Sequence, residues 1–264
     1  MITFVLDMEL IFYKYQGAGN DFVMIDNLSG KIDSLDSDTI ARICDRRFGV
    51  GGDGLIILES SAKHDFYINY YNSDGSQSFC GNGARCSVLF ARHMGYIRSK
   101  TTFEAIDGTH TGEVISENQI MINMLPVKKI VDSDGDYVLD TGSPHYVRFS
   151  DSDDDIVSFG REIRYSDRFA KEGINVNLVK RKGNLELEVL TYERGVEAET
   201  LSCGTGVTAC ALVELQRLGV DEGEVHVYTK GGEINVKARR EGDGFADIYL
   251  SGPAEFVFEG KITV

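Results

Sequence analysis

Nowhere in its 264 residues does the chain hold an apolar run long enough to cross a bilayer, and it has no excess of positive charge. Lys and Arg number 27 against 42 Asp and Glu, a formal net charge of −15. The first absence excludes a membrane-spanning helix, and the second disfavours nucleic acid and anionic membranes as partners. Cys-x-x-Cys spacing is missing, as is a local His that would join the cysteines in a zinc pattern. Gly51-Gly52-Asp53-Gly54 lacks the Lys-Ser/Thr of a phosphate-binding loop, and there is no helix-spaced His pair. No metal site is expected. The five cysteines, an odd number, read as free thiols in a reducing compartment and so place the chain in the cytoplasm. The acidic excess gathers in loops such as Asp151-Ser152-Asp153-Asp154-Asp155 and reads as solubility. Residues 1–7 have no basic n-region and are too short for a signal peptide, and Met8 is an alternative start that would make them dispensable.

A content of 42% hydrophobic and 26% charged residues suits a soluble globular protein, either one large domain or two of about 130 residues. Strand-like runs rich in β-branched and aromatic residues lie at Leu10–Tyr15, Phe22–Asp26, Leu55–Glu59 and Phe66–Tyr71. A helix is expected from Ser37/Asp38 to about Arg46, and a second from Asn82 to His93, ended by Gly95. Short strands follow at Thr102–Ala105, His110–Ile115 and Ile120–Asn123. Near Leu125-Pro126-Val127 the pattern restarts. Strands at Tyr137–Leu139, His145–Phe149, Asn175–Val179 and Leu185–Tyr192 surround a short helix, and a long helix runs from Cys203 to Leu218. Hairpins through Lys230-Gly231-Gly232 and Glu241-Gly242-Asp243-Gly244 then lead to a final strand, Phe256–Val264.

The most informative residues are two cysteines in matching surroundings. Ser78-Phe79-Cys80-Gly81-Asn82-Gly83 and Leu201-Ser202-Cys203-Gly204-Thr205-Gly206 both read Cys-Gly-polar-Gly and both run into a helix. In each half a strand enters a polar loop, then the cysteine, then the helix. Either motif alone is equally well explained by glycines that cap or pack a helix. Their duplication, packed about an approximate two-fold axis, would aim both helix starts at one cleft. A thiol there meets unpaired N–H groups and the positive end of the helix dipole, which favours its thiolate.

A matched thiolate and thiol suit inversion of a carbon stereocentre. One takes the α-proton of an amino acid, and the other returns a proton to the opposite face. The N–H groups after each cysteine would hold the α-carboxylate and stabilise the charge that develops on it. Glu193 would take an ammonium and Arg194 a carboxylate in bidentate fashion, although an adjacent Glu-Arg is also commonly a surface pair. Asn20, Asn72 and Asn175 offer neutral donors and acceptors, although asparagines in turns often serve the backbone alone.

Six ordered segments from residue 17 to about 210 make the chain resemble the diaminopimelate epimerase family. They are Gly17-Ala18-Gly19-Asn20-Asp21-Phe22, Arg47 to Gly54, Asn72 to Cys86, Gly142-Ser143-Pro144-His145, Gly173-Ile174-Asn175-Val176-Asn177 and Tyr192 to Thr205. The resemblance implies an α+β fold of two pseudo-symmetric domains, each a β-barrel-like, mostly antiparallel sheet around a central helix. The halves would be residues 1–123, joined by the C-terminal strand 253–264, and residues 124–252. It implies an isomerase that needs no cofactor and interconverts LL- and meso-2,6-diaminopimelate for lysine and peptidoglycan precursors. By motif match, Cys80 and Cys203 are the acid/base pair. Gly81, Asn82, Gly204 and Thr205 match the carboxylate-binding helix starts, and Asn20, Asn72, Asn175, Glu193 and Arg194 match substrate contacts. Two positions depart from the pattern. Gly54 stands where many members carry a polar side chain, and Ser143 stands where Asn often precedes Pro-His. Ser143 still donates and accepts, and His145 reads as an orienting or structural residue.

The expected partner is a small-molecule substrate, with a homodimer left open, and neither nucleic acid nor a membrane is expected. Three rivals differ in what they require. A proline or hydroxyproline racemase would not need the Glu193, Arg194 and asparagine set. An isomerase of the phenazine-biosynthesis type would lack the cysteine pair. A redox protein would use a Cys80–Cys203 disulfide.

Overall fold

The computed structural model describes residues 8–32, 34–152 and 154–264. Residues 1–7, with the reading given to them, and Asp153 of the acidic loop lie outside the described residues. The first half comprises β1 (Glu9–Gly17), β2 (Asn20–Asn27), α1 (Ser37–Cys44), β3 (Gly54–Glu59), β4 (Phe66–Asn72), α2 (Gly81–His93), β5 (Lys100–Ala105), β6 (Gly108–Val114) and β7 (Gln119–Met124). The second comprises β8 (Val131–Ser133), β9 (Asp136–Asp140), β10 (Pro144–Phe149), α3 (Ile156–Arg164), β11 (Asn175–Gly183), β12 (Glu186–Glu193), β13 (Ala198–Thr200), α4 (Gly204–Leu218), β14 (Glu222–Thr229), β15 (Gly232–Glu241) and β16 (Gly244–Pro253). The last strand is β17 (Glu255–Thr263).

The duplication read from the two cysteines extends to the sheet. Successive pairs from β1 to β7 run antiparallel, parallel, antiparallel, parallel, antiparallel, antiparallel. The series β9, β10, β11, β12, β14, β15, β16 repeats that order of directions without change. The helices keep step with it. α1 and α3 follow the second strand of each series, and α2 and α4 follow the fourth. The equivalent strands β7 and β16 pair antiparallel with each other, Ile122 opposite Leu250, so the approximate two-fold axis passes between them. β17 returns to pair with β1, and the 17 strands of the described residues form one hydrogen-bonded sheet.

The four helices of the described residues divide into two kinds by their sequences. α2 is buried continuously from Gly81 to Ala91, and α4 from Gly204 to Leu215, as a helix wrapped by its sheet must be. α1 and α3 bury one stripe each, with Asp36 and Asp155 capping their starts. α1 ends at Cys44, two residues before the expected end at Arg46. Asp45 adopts extended angles there, and its carboxylate accepts the N–H groups of Arg47 and Phe48, both at 2.7 Å. This early stop frees Arg46 from the helix, and the guanidinium reaches Asp21 and Asp53 at 2.6 and 2.7 Å. The short strands β8 and β13 were not expected, because three residues carry too little pattern to be read.

Candidate active site

Cys80 and Cys203 are the N-caps of the two buried helices. Their backbones are nearly superimposable, with φ −128°, ψ 111° for Cys80 and φ −125°, ψ 110° for Cys203. Both line one cleft of about 980 Å³ between the halves. The helix starts meet glycine to glycine. A Cβ on Gly204 would lie 3.4 Å from the Cα of Gly81, and a Cβ on either would press on Leu250, at 2.9 Å from Gly81 and 3.2 Å from Gly204. A side chain on either glycine would have to displace Leu250, so close packing alone accounts for a glycine at each position.

All the residues expected at the site line this cleft except His145. Asn82 ties the halves: its Nδ2 donates to Asn20 Oδ1 at 3.3 Å and to the Ser202 carbonyl at 3.2 Å. Asn20 in turn donates to Asp53 Oδ2 at 2.6 Å, and its Oδ1 lies 3.6 Å from Cys80 Sγ. Arg46 holds Asp53 in place while also binding Asp21. Burial alone would raise Asp21, but hydrogen bonds from Arg46 and Lys14 pull it down to about 2. Asn175 donates to Ser143 Oγ at 2.6 Å and accepts the Arg194 backbone N–H at 2.9 Å. Ser143 thus keeps a polar contact at its departed position. The Arg194 side chain donates to the Glu172 carbonyl at 2.9 Å.

Gly54 has a steric reason for departing from the pattern. A Cβ there would fall 2.4 Å from Tyr70 Cε2. The ring fills that space, and its hydroxyl donates to Asn72 Oδ1 at 3.0 Å. Tyr70 lines the cleft and was not among the residues read from sequence.

His145 sits behind Thr205 and is fully buried. Burial, with the nearby charge of Arg194 adding to it, lowers its pKa to about 3, so the ring is neutral. Asn177 is oriented by Thr191, which donates to its Oδ1 at 3.0 Å, and by its own bond to the Tyr146 carbonyl at 2.9 Å. Its Nδ2 therefore donates to His145 Nδ1 at 3.1 Å, which assigns the ring proton to Nε2. Nε2–H then donates to Thr205 Oγ1 at 2.9 Å, leaving the threonine hydroxyl to face Cys203 Sγ at 3.4 Å. Asn177 was also missed, although it was legible: Asn175 and Asn177 are two apart on β11 and share a face.

One electrostatic expectation needs correction. The helix starts do not bring the thiols toward neutral pH. Burial pushes Cys80 up to about 11, against the N–H groups of Gly83 and Asn82, which lower it. Burial, and next the charge of Glu193, push Cys203 up to about 12, against the Thr205 hydroxyl and the Gly206 N–H. Desolvation of a small anion outweighs a pair of peptide dipoles. Burial raises Glu193 as well.

The fold defines the class of the protein. It is shared with a phenazine biosynthesis protein of the PhzF family from Bacillus anthracis, at a TM-score of 0.74 and 14% identity over 97% of this chain and 100% of that one. It is shared too with a hydroxyproline epimerase from Agrobacterium vitis, at a TM-score of 0.69 and 12% identity over 97% and 93%. The sequence narrows the class to an isomerase family. It matches the diaminopimelate epimerase family over residues 12–130 and 137–257, and is 46% identical over 253 residues to the diaminopimelate epimerase of Flavobacterium psychrophilum, covering 95% of this chain and 99% of that protein. The chain belongs to the diaminopimelate epimerase family.

Proposed function

We propose that this chain interconverts LL- and meso-2,6-diaminopimelate by a two-thiol mechanism, with Cys80 and Cys203 as the acid/base pair. The observation that carries the reading is the pair of matched cysteine N-caps on abutting helix starts that line one cleft. The α-carboxylate of the reacting end sits over the N–H groups of Gly81, Asn82, Gly204 and Thr205, where two helix dipoles favour negative charge. Glu193 lines the same cleft as both cysteines, and its charge raises both thiols, which supports a role close to the reacting carbon. A substrate ammonium paired with Glu193 cancels that charge and brings a thiolate within range as a base. Arg194, Asn175 and Asn72 receive the far amino-acid end. One thiolate then removes the α-proton and the opposite thiol delivers its own to the other face, so the pair finishes with its protonation reversed.

The test is turnover of LL-diaminopimelate in deuterated water against turnover of L-proline. The expected result is meso product labelled only at the inverted α-carbon, with L-proline untouched. Turnover of L-proline without turnover of diaminopimelate would overturn the assignment.

We place the protein in the cytoplasm, a reading supported by its five free cysteines. We also propose a homodimer formed through β17, which pairs with β1 alone among the described residues. Phe256, Val257 and Phe258 are consecutive and at least 41% exposed, so both faces of this edge strand present apolar surface. A second copy covers them by a symmetric contact. Light scattering is expected to give a dimer mass for the native chain and a monomer for Phe258→Glu. A native monomer at micromolar concentration would refute the proposal.

A further inference from the structure

Tyr70 and Asn72 are two apart on β4 and share a face, with Gly54 of β3 directly opposite Asn72 and Ile56 opposite Tyr70. The Tyr70 ring therefore lies diagonally across Gly54, in the space that a Cβ there would need. Phe22 meets the ring edge to face, with 6.0 Å between centroids. Filling that space is reason enough for an aromatic ring, but not for a phenol. The Ser76 carbonyl fixes the direction of the hydrogen bonds here. It can only accept, and it lies 3.2 Å from Asn72 Nδ2, so Oδ1 is the atom turned to Tyr70 at 3.0 Å. The phenol must then donate. Burial holds it well above its ordinary pKa, so it keeps the proton. Asn72 Nδ2 also meets Ser76 Oγ at 3.0 Å, which leaves the amide occupied by its own loop. With its proton spent on Asn72, the Tyr70 hydroxyl has only lone pairs to offer the cleft that the residue lines.

Diaminopimelate carries two carboxylates, which only accept, and two ammonium groups, which only donate. A hydroxyl restricted to accepting therefore selects an ammonium. We propose that Tyr70 is a specificity residue whose hydroxyl, oriented by Asn72, accepts a hydrogen bond from the ammonium of the non-reacting end. In the proposed mechanism Glu193 takes the ammonium of the reacting end and Arg194 the far carboxylate, so the far ammonium is the donor still in need of an acceptor. Three other carboxylates of the cleft are occupied. Asp45 accepts the N–H groups of Arg47 and Phe48, Asp53 binds Arg46 and Asn20, and Asp74 accepts from Ser76. Glu199 is the rival acceptor. Its Oε2 binds Lys230 at 2.7 Å, which balances its charge, while its Oε1 is buried without a hydrogen-bond partner. Tyr70 is favoured because it stands on Asn72, at the end of the cleft that the mechanism gives to the far amino acid.

This role rests on the diaminopimelate reading, and the test tells the two apart. Tyr70→Phe keeps the ring over Gly54 and removes only the hydroxyl. Two ligands are compared on the whole protein: LL-diaminopimelate, by kcat/KM, and L-2-aminopimelate, which has hydrogen in place of the far ammonium, by its inhibition of LL-diaminopimelate turnover. Tyr70→Phe is expected to lower kcat/KM for diaminopimelate about tenfold, chiefly through KM, and to change the inhibition constant of L-2-aminopimelate by less than about twofold, as for one hydrogen bond to a charged group. Unchanged kcat/KM in Tyr70→Phe overturns the proposal. An equal loss for both ligands overturns it too, since the hydroxyl would then only steady Asn72. It also falls if the native chain binds both ligands alike, or if Glu199→Gln erases the preference for diaminopimelate while Tyr70→Phe keeps it. A native chain that does not turn over LL-diaminopimelate at all refutes the proposed function instead.

Discussion

Replacing Cys80 by serine is expected to leave a folded protein whose epimerisation, from either isomer, falls by at least about 10³-fold, within the range a positioned acid or base contributes. Folding survives for a reason visible at the site. Cys80 occupies an N-cap, its Sγ accepts the Gly83 N–H, and serine is a better N-cap than cysteine. The lost quantity is acidity, since an alcohol does not ionise in the range open to a thiol. Cys203→Ser is expected to fall as far, because each turnover uses both groups, one as base and one as acid. The measurement is conversion of LL to meso isomer and of meso to LL isomer, with thermal unfolding as the control on structure. Near-native turnover by either variant would remove the two-thiol scheme.

Arg194→Ala is expected to raise KM for diaminopimelate by about 10²-fold, with a smaller loss in kcat, as when the guanidinium of a bidentate, charge-assisted pair with the substrate is deleted. The guanidinium meets only one carbonyl acceptor, that of Glu172, among the contacts described above, and the planar fork suits a carboxylate. Arg194→Lys keeps the charge but not the fork, so it is expected to recover only part of the affinity. Unchanged KM in the alanine variant would return Arg194 to the role of a surface residue.

The chemistry was legible where residue type and spacing carry it. The repeated Cys-Gly-polar-Gly motif announces two helix starts, and strand patterns before each announce a repeat, because backbone periodicity is written in local sequence. Residue type put Asn20, Asn72, Asn175, Glu193 and Arg194 forward as candidates beside an equally ordinary structural reading, and ordered resemblance singled them out, since an asparagine in a turn has the same local signature whether or not it faces a ligand. Tyr70 was hidden for a different reason. It contributes to the cleft because Gly54, sixteen residues earlier, makes room for its ring, and no local pattern records that pairing. The thiol pKa direction was misread because a helix start is a local feature, whereas desolvation depends on everything that surrounds it.

By itself, the amino-acid sequence determined the longer elements, the duplication, the cysteine at each helix start and, through its ordered motifs, the family. Each of these depends on neighbours within a few residues or on motif order along the chain. Tertiary structure alone decided that Gly81 meets Gly204 beside Leu250, that β7 and β16 flank the axis, and that Asn177 sets the proton on His145. Those facts arise between strands and helices that are not neighbours in the chain, and they exist only once the sheet has closed around its two buried helices.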